Sequence, residues 1–368
     1  MSKALGRQAK HAKAINLALQ GGGAHGAFTW GVLDQMFEDG RIWIEAISGT
    51  SAGAMNAVVA AQGMYDGGGD GARRELERFW RAVSDAGQNS PLRRTWMDRM
   101  MGNWSLDNSP GYLAVDIVNR IASPYEINPL QINPLRDLVA SFVDFDKVQG
   151  SKDMPIYISA TNVETGRARV FAREEITLDV VMASACLPFM FHAVMIERAP
   201  YWDGGYMGNP VLFPLIEGSP CADIAIVQLN PVVRHGTPRT ARDILNRVNE
   251  ITFNASMLKD LASIELINRL IAEGKLDKSE ARDTRIHIIE ANDAMLPLGA
   301  SSKLNTEWEF LLLLRDIGRR AAGEWIDRHF NDIGKRSTVD LPAMFRGAIA
   351  QAPASGSPPP KPAAVLRA

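Results

Sequence analysis

The segment "INLALQGGGAHGAFTWGVL", Ile15 to Leu33, joins a short apolar run to three consecutive glycines and then to apolar residues at helical spacing. This pattern predicts a buried strand over Ile15–Leu19 and a helix over Ala24–Glu38. The next segments, "RIWIEAISGT" (41–50) and "SAGAMNAVVAAQGM" (51–64), predict a second strand and a second, alanine-rich helix. A β-α-β-α order implies a parallel sheet and therefore the α/β fold class.

The remainder of the chain extends this beginning. Residues 72–148 hold tryptophans, methionines and many proline-containing turns, and they predict a helical insertion that we interpret as a candidate lid. Later apolar segments predict further strands and two long amphipathic helices. The predicted organisation is a basic lead-in (1–13), a main α/β domain that includes the insertion (14–230), a mainly helical C-terminal part packed on the same domain (231–345) and a disordered tail rich in proline and alanine (351–368).

Composition narrows the classes of function. The 368 residues are 46% hydrophobic and 22% charged, as in ordinary soluble proteins, and the net charge of −2 gives no global electrostatic case for nucleic acid. Two cysteines cannot form a disulfide framework, and no stretch of about 18 apolar residues suggests a membrane span. We therefore expect a cytoplasmic protein that does not bind nucleic acid.

The glycine-rich loop has two interpretations. Gly21, Gly23 and Gly26 fit the pattern G-x-G-x-x-G, and Glu45 follows at about the distance where a dinucleotide site places an acid. Alternatively, the glycines let backbone N–H groups converge as an oxyanion hole, assisted by the positive end of the following helix. Both interpretations use the same physics and differ in the anion that is bound.

A second motif favours the oxyanion hole. Gly49-Thr50-Ser51-Ala52-Gly53 is a G-x-S-x-G pentapeptide between a predicted strand and a predicted helix, the context that a nucleophile elbow requires. The flanking glycines, Gly49 and Gly53, remove clashes with the neighbouring backbone. In a parallel sheet this turn and the glycine loop share the carboxyl edge, where sites of α/β proteins form.

A nucleophilic serine needs a base, and the sequence offers two kinds. His287 lies inside an apolar predicted strand and His329 in a predicted helix, so neither resembles a loop-borne catalytic histidine, but both remain open. The carboxylate candidate is Asp203 in "YWDGGYMGN", which follows a predicted strand and precedes Gly204 and Gly205.

Together, these motifs resemble the three blocks of the patatin-like phospholipases. The blocks are Gly-Gly-Gly-Ala-His-Gly at 21–26, Gly-Thr-Ser-Ala-Gly at 49–53 and Asp-Gly-Gly at 203–205; "ISATNVETGRARVF" (158–171) and "ASACLPFMF" (183–191) are also similar. The resemblance covers about residues 13–230. It implies a three-layer α/β/α fold around a mostly parallel sheet, with the helical insertion and the C-terminal helices added.

The resemblance also implies a reaction: hydrolysis of ester bonds in phospholipids or related lipids through an acyl-enzyme. Ser51 would be the nucleophile and Asp203 its base, in a Ser-Asp dyad. The backbone amides of Gly21, Gly22 and Gly23 would form the oxyanion hole. No metal or organic cofactor is required. The expected partner is a lipid ester, with peripheral association with a membrane.

One position departs from the family, which usually has Arg or Lys where this chain has His25. The amides do not depend on that side chain, so His25 is a candidate modulator that would make activity depend on pH near neutrality. Two alternatives stay open: a dinucleotide-binding protein, and a patatin-fold binding protein without turnover. Head group, acyl chain length and positional preference are not encoded in these motifs.

Overall fold

A computed structural model describes residues 12–277 and 279–345 of the chain. Most of the predicted lead-in and the whole predicted tail (351–368) lie outside the described residues. Eight strands are found within those residues, and they form one sheet. In chain order they are β1 (Lys13–Leu19), β2 (Ile42–Gly49), β3 (Ile156–Asn162), β4 (Ala168–Ala172), β5 (Val194–Ile196), β6 (Ala199–Asp203), β7 (Asp223–Val227) and β8 (Arg285–Ile289).

The sheet is mostly parallel. Its strand order is β5-β6-β3-β2-β1-β7-β8, and β4 pairs with the other edge of β3. The strands β3, β2, β1, β7 and β8 run parallel to one another, whereas β4 and β6 run antiparallel to β3. The antiparallel part is where the predicted strand-turn-strand segment and the Asp203 strand join the parallel sheet.

Helices follow most of the strands. Short 3-10 turns also occur, among them Gly23–His25, Gly204–Tyr206 and Ala300–Leu304. In chain order the α-helices of the described residues are α1 (Gly26–Asp39), α2 (Ala52–Gly87), α3 (Trp96–Met100), α4 (Pro110–Ile121), α5 (Pro124–Ile127), α6 (Pro134–Phe142), α7 (Phe145–Gly150), α8 (Leu178–Ser184), α9 (Phe213–Gly218), α10 (Ala241–Ala272), α11 (Asn292–Met295), α12 (Trp308–His329) and α13 (Leu341–Phe345).

Two apolar cores lie on the two faces of the sheet. The larger core packs α1, α2 and α12 against one face and includes Phe28, Val58 and Leu314. The smaller core packs α9, α10 and α13 against the other and includes Leu215 and Leu261. Side chains of β1 point alternately into the two cores, as the period of a strand requires. The predicted α/β/α fold is confirmed.

The second helix is longer than the sequence predicts. The pattern suggests that it ends near residue 64, but α2 continues through the "YDGGGDG" segment to Gly87, with non-helical backbone at Gly67 and Gly68. Leu76 and Phe79 lie beyond this kink and are fully buried in the larger core. The beginning of the predicted insertion is therefore part of the main core, because apolar residues resume at helical spacing after the glycines.

No helix in the described residues combines the length and the apolar composition needed to cross a membrane. In the longest apolar run of α12, at 310–314, Phe310, Leu311 and Leu314 are buried, and α12 packs against α1. These residues serve the core of the domain.

The contact between α1 and α12 depends on glycine. A Cβ atom at Gly318 would overlap the carbonyl oxygen of Phe28, whereas a Cβ atom at Gly323, on the same helix, would meet no atom closer than 3.9 Å. Backbone carbonyls cannot move aside as side chains can. The two helices therefore approach as closely as they do only because residue 318 has no side chain.

We predict opposite effects for alanine at these two glycines. Gly318→Ala is expected to lower the free energy of unfolding by about 1–3 kcal/mol, because the helices must separate. Gly323→Ala is the matched control and is expected to raise it by up to about 1 kcal/mol through helix propensity. Urea unfolding followed by circular dichroism measures both, and equal effects would contradict the close approach.

Candidate active site

The carboxyl ends of the parallel strands lie in one row. Leu19 at the end of β1 pairs with Gly49 at the end of β2 and with Val227 at the end of β7. Because the strands are parallel, the loops that follow them leave the sheet side by side. Gly21 and Ser51 each lie two residues beyond this row, so the glycine loop and the predicted elbow are neighbours.

The antiparallel part of the sheet brings Asp203 to the same place. β4 pairs along one edge of β3, so β2 and β6 must share the other edge. β2 ends at Gly49, opposite Ile158, and β6 arrives from the other direction and ends at Asp203, opposite Ala160. The two strands therefore meet end to end, and the residues that follow β2 lie next to Asp203.

Ser51 occupies a strained turn between β2 and α2. Its φ of 54° and ψ of −119° are unusual for a residue with a side chain. A Cβ atom at Gly49 would lie 2.6 Å from the carbonyl oxygen of Gly53, and one at Gly53 would overlap the carbonyl of Leu19. The turn is tight because both glycines lack side chains, and this is the geometry of a nucleophile elbow. The backbone N–H of Ser51 donates to Ser184 Oγ at 2.9 Å.

Asp203 is buried and hydrogen-bonded to Ser51. Burial raises the pKa of its carboxyl to about 7, and hydrogen bonds from the Gly205 amide and the Ser51 hydroxyl act in the opposite direction. The Gly205 N–H lies 2.7 Å from Oδ1. A Cβ atom at Gly204 would overlap the Ser159 carbonyl, so this glycine lets Asp203 sit against β3. The result is a carboxyl group that changes its ionisation near neutral pH and touches a serine hydroxyl.

The glycine loop lies directly against the elbow. A Cβ atom at Gly21 would be 2.7 Å from the Cβ atom of Ser51. The N–H of Gly21 donates to Asn209 Oδ1 at 2.6 Å, so this amide is already engaged. In the part of the chain that the structure describes, the N–H groups of Gly22 and Gly23 have no hydrogen-bond acceptor. Two of the three predicted donors are therefore available for an anion.

Buried amide side chains hold this loop in place. Gln20 Oε1 accepts from the backbone N–H groups of Leu229 and Asn230, at 2.8 and 3.0 Å. The side chain of Asn230 donates to the Gly21 carbonyl at 3.3 Å. Each of these amides satisfies a buried backbone group and thereby helps to hold the loop in its shape.

His25 is a buried structural residue. Its Nε2 atom lies 2.8 Å from Ser302 Oγ, and that hydroxyl donates to the Gly299 carbonyl, so His25 is the donor in this pair. Burial and the nearby Lys303 lower the pKa of His25 to about 3. The expectation that His25 titrates near neutrality is therefore wrong, because the ring is desolvated and stays neutral.

The other predicted bases have partners elsewhere. His287 Nε2 lies 3.0 Å from Asp223 Oδ1, and Asp223 begins β7, towards the opposite edge of the sheet from Ser51. His329 lies at the end of α12 and pairs with Asp332. Asp203 is thus the titratable group in contact with Ser51.

The alternative of a dinucleotide-binding site requires an acidic residue at the edge of the sheet, and Glu45 is not located there. Glu45 lies inside β2, at an irregularity of the pairing with β1. The strand continues past Glu45 to Gly49 before it reaches the edge where the glycine loop lies. An acid that binds a ribose should stand at that edge. The position of Glu45 therefore does not support a dinucleotide site.

Several residues around the site have no recognisable signal in the sequence. Asn209 follows the Asp-Gly-Gly block closely, so its position could have been suspected. Asn230 comes just after the end of β7, and Lys303 and Ser302 come from the 3-10 turn at 300–304, far along the chain. Their roles depend on which loops the fold brings together.

A groove of about 710 Å³ lies near the end of β6, and neither Ser51 nor Asp203 is among its lining residues. Trp202, next to Asp203 in the sequence, and Tyr206, three residues after it, line one part of the groove, and residues from α4 and α5 line another. The apolar side chains of this lining include Ile121, Tyr125, Phe189, Trp202 and Met207. A cavity of this size and character suits a long apolar group.

The model of the family described as patatin-like phospholipase matches residues 17–216, which is more than half of the chain. The chain belongs to the patatin-like phospholipase family. As a member of this family, the chain is a hydrolase of lipid esters. Among curated proteins, none matches the chain.

Similar solved structures come from bacterial proteins. VipD from Legionella pneumophila shares 16% identity with a TM-score of 0.39, and the match covers 87% of this chain and 67% of VipD. A chain of the ExoU–SpcU complex from the type III secretion system of Pseudomonas aeruginosa shares 14% identity with a TM-score of 0.35, over 88% of this chain and 53% of that one. The chain thus spans about half the length of the latter.

We predict that His25 makes stability depend on pH. Below its unfolded pKa of 6.5 the unfolded chain binds a proton that the folded chain does not, so stability falls as the pH falls from 6.5 towards 3. As the pH falls from 7 to 5, the protonation of this group in the unfolded chain should lower the free energy of unfolding by about 2 kcal/mol. His25→Gln should lose less stability over that interval than wild type, and the exposed His235→Gln should behave as wild type. Urea unfolding at both pH values measures the difference, and identical slopes for all three proteins would show that His25 is not held neutral.

Proposed function

We propose that the chain hydrolyses ester bonds of phospholipids or related lipids, with Ser51 as nucleophile and Asp203 as base. One observation carries the proposal: a serine on a strained strand-to-helix turn donates its hydroxyl hydrogen bond to a buried carboxylate. Such a turn exposes a hydroxyl at the edge of the sheet, and a buried carboxylate is a stronger base than one in water.

Acylation follows from this contact. Ser51 Oγ attacks the ester carbonyl carbon while its proton passes to Asp203, and the carbonyl π electrons move to the oxygen. The N–H groups of Gly22 and Gly23 donate to that oxyanion, and the positive end of α1 adds to the field. When the intermediate collapses, the bond to the leaving alcohol breaks and Asp203 returns the proton to it. The engaged Gly21 amide contributes by fixing the loop.

Deacylation uses the same groups. Asp203 accepts a proton from water, the hydroxide attacks the acyl carbonyl, and Ser51 leaves with the proton. The product is a free carboxylic acid. A base whose pKa lies near 7 both accepts and returns protons readily at neutral pH, which suits a group that must do both in each cycle. The groove lined by Trp202 and Tyr206 would hold the acyl chain.

We predict that the two dyad variants fold but lose activity. Ser51→Ala removes the nucleophile and Asp203→Asn removes the base, so both should lower kcat/KM for medium-chain p-nitrophenyl esters by at least about 10³-fold. Ser51→Ala should also block labelling by a fluorophosphonate probe.

Matched controls separate catalysis from folding. Ser141→Ala and Asp146→Asn change an exposed serine and an exposed aspartate and should behave as wild type. Circular dichroism confirms that each variant is folded. Full activity in Asp203→Asn would refute the proposed Ser-Asp dyad. A wild-type protein that neither reacts with the probe nor hydrolyses vesicle phospholipid would refute the proposed enzymatic activity.

We also propose that the chain works on a lipid surface. The segment from α3 to residue 132 exposes many large apolar side chains, and three of them, Met100, Ile121 and Leu130, are 78–80% exposed. The first half of α10 exposes more, including Ile244 and Val248. Patches of this kind mark sites of interaction. The first of these segments also supplies Ile121 and Tyr125 to the lining of the groove, where a lipid must enter.

Several acidic side chains of this surface are hydrogen-bonded or ion-paired within the protein. Asp98 is buried among hydrogen-bond donors, Glu126 caps the start of α5, and Asp107 pairs with Arg242 at 3.4 Å. Binding should therefore depend on apolar insertion more than on lipid charge.

The unpaired cysteines Cys186 and Cys221 fit a cytoplasmic, reducing compartment.

We predict that the chain floats with neutral phosphatidylcholine vesicles. The triple variant Met100→Ser, Ile121→Ser, Leu130→Ser should bind at least about tenfold more weakly, because each buried apolar side chain contributes more than 1 kcal/mol. Leu266→Ser changes an exposed leucine on the second half of α10 and should bind as wild type. Vesicle flotation measures the bound fraction, and equal binding by both variants would place the lipid surface elsewhere.

A further inference from the structure

Lys303 is brought to the glycine loop by the C-terminal part of the chain. It lies in the 3-10 turn at 300–304, which packs against the turn Gly23–His25. A Cβ atom at Gly23 would overlap the Lys303 carbonyl, so the two backbones touch. Next to it, Ser302 bonds to His25. The position of Lys303 relative to the loop is therefore fixed by its own backbone.

The ammonium group points towards the site. Nζ donates to Asn230 Oδ1 at 2.6 Å, and Asn230 in turn donates to the carbonyl of Gly21. Nζ also lies 5.9 Å from the ring centre of Phe253, and a Cβ atom at Gly205 would overlap that ring. The cation thus stands between the glycine loop and the residues that follow Asp203.

The nearby acid Glu250 acts on this charge more strongly than Asp203 does, but it is shared with two arginines, so the cluster keeps a net positive charge. Among residues 12–277 and 279–345, Lys303 has no ion pair. Glu250 is a neighbouring acid in the same small cavity, but its oxygens bind Arg234 at 2.7 Å and Arg247 at 3.0 Å. His25, in that cavity too, is neutral. The field of Lys303 therefore reaches the dyad.

The groups around Asp203 leave this field unopposed. Cys186 and Tyr206 border the carboxyl, but burial raises the pKa of each to about 12, so both stay neutral at working pH. Burial raises the pKa of Asp203, hydrogen bonds from Gly205 and Ser51 lower it, and Lys303 lowers it further. Burial lowers the pKa of Lys303 itself to about 8, which leaves it mostly protonated at pH 7.

We propose that Lys303 is the positioning residue of this site: its ammonium group acts through Asp203 and keeps that carboxylate ionised, as a base must be. The inference rests on the function proposed above and adds a residue to it. A buried carboxylate tends to bind a proton, and while protonated it cannot accept one from Ser51. A cation held at a fixed place on the loop offsets that tendency without touching the substrate.

The test is the pH profile of kcat/KM for a p-nitrophenyl ester between pH 5.5 and 9. Wild type should rise through a midpoint near 7. Lys303→Gln should move the midpoint to higher pH, with about a threefold loss at pH 6 and less than about a 1.5-fold loss at pH 9. Lys303→Arg keeps a charge and should restore the wild-type midpoint. Lys259→Gln, an exposed lysine on α10, is the control and should match wild type.

Other outcomes separate the possibilities. A loss in Lys303→Gln that is equal at every pH would mean that Lys303 only holds the loop, and it would overturn the proposal. Lys303→Met retains the apolar stem and provides a second neutral variant whose melting temperature checks the fold. Titration of the Asp203 carboxyl by ¹³C NMR, assigned with Asp203→Asn, needs no turnover. An unchanged midpoint in Lys303→Gln there overturns this inference, whereas a shifted midpoint in a protein without esterase activity supports it and refutes only the proposed reaction.

Discussion

The meeting of β2 and β6 on one edge of β3 is the constraint on which the site depends. β2 covers that edge only as far as Ile158, and β6 enters from the opposite direction as far as Ala160. A slip of two residues in β6 would carry Asp203 about 7 Å along the edge and out of reach of Ser51. Three contacts fix the register. Thr161 Oγ1 donates to the Asp203 carbonyl at 2.8 Å, the Asp203 N–H donates to the Cys186 carbonyl at 2.8 Å, and Gly204 closes on Ser159.

Around this junction the protein arranges neutral polar groups and very few charges. Gln20, Asn209 and Asn230 shape the glycine loop with amides, which hold backbone groups without adding a net charge. Asp203 at the elbow and Lys303 beside the glycine loop are charged groups in these surroundings. In a poorly hydrated site each charge acts strongly on the other. The ionisation of the base is therefore set by the whole neighbourhood, and the histidine in the glycine motif has no part in it because its proton is used to bond Ser302.

The segments that surround this junction affect how a substrate reaches the site more than they affect the reaction itself. The sheet and the helices α1, α2 and α12 build the strained turn and the loop, whereas the groove is lined by α4, α5 and the segment after α8. These outer elements also carry the exposed apolar side chains. Substrate choice can thus vary with the outer segments while the dyad stays in place.

The sequence by itself predicted the elements whose signals are local. The alternation of strand and helix, the glycine loop, the elbow at 49–53 and the α/β class follow from short-range patterns, because propensity and apolar spacing act within a few residues. The pairing of Ser51 with Asp203 came from resemblance to a family, since nothing in either segment indicates the other. Helix α2 was predicted too short, because glycines usually end a helix and here produce only a kink.

Only the tertiary structure decided which groups surround the dyad and how they ionise. Lys303, Asn230 and Ser302 reach the glycine loop from distant parts of the chain, and no local pattern marks them. The prediction for His25 was wrong because a pKa depends on burial and on neighbouring charges, and both are properties of the folded chain. A sequence specifies its strands and turns locally, but the electrostatic field of a site is a sum over every residue that the fold brings near it.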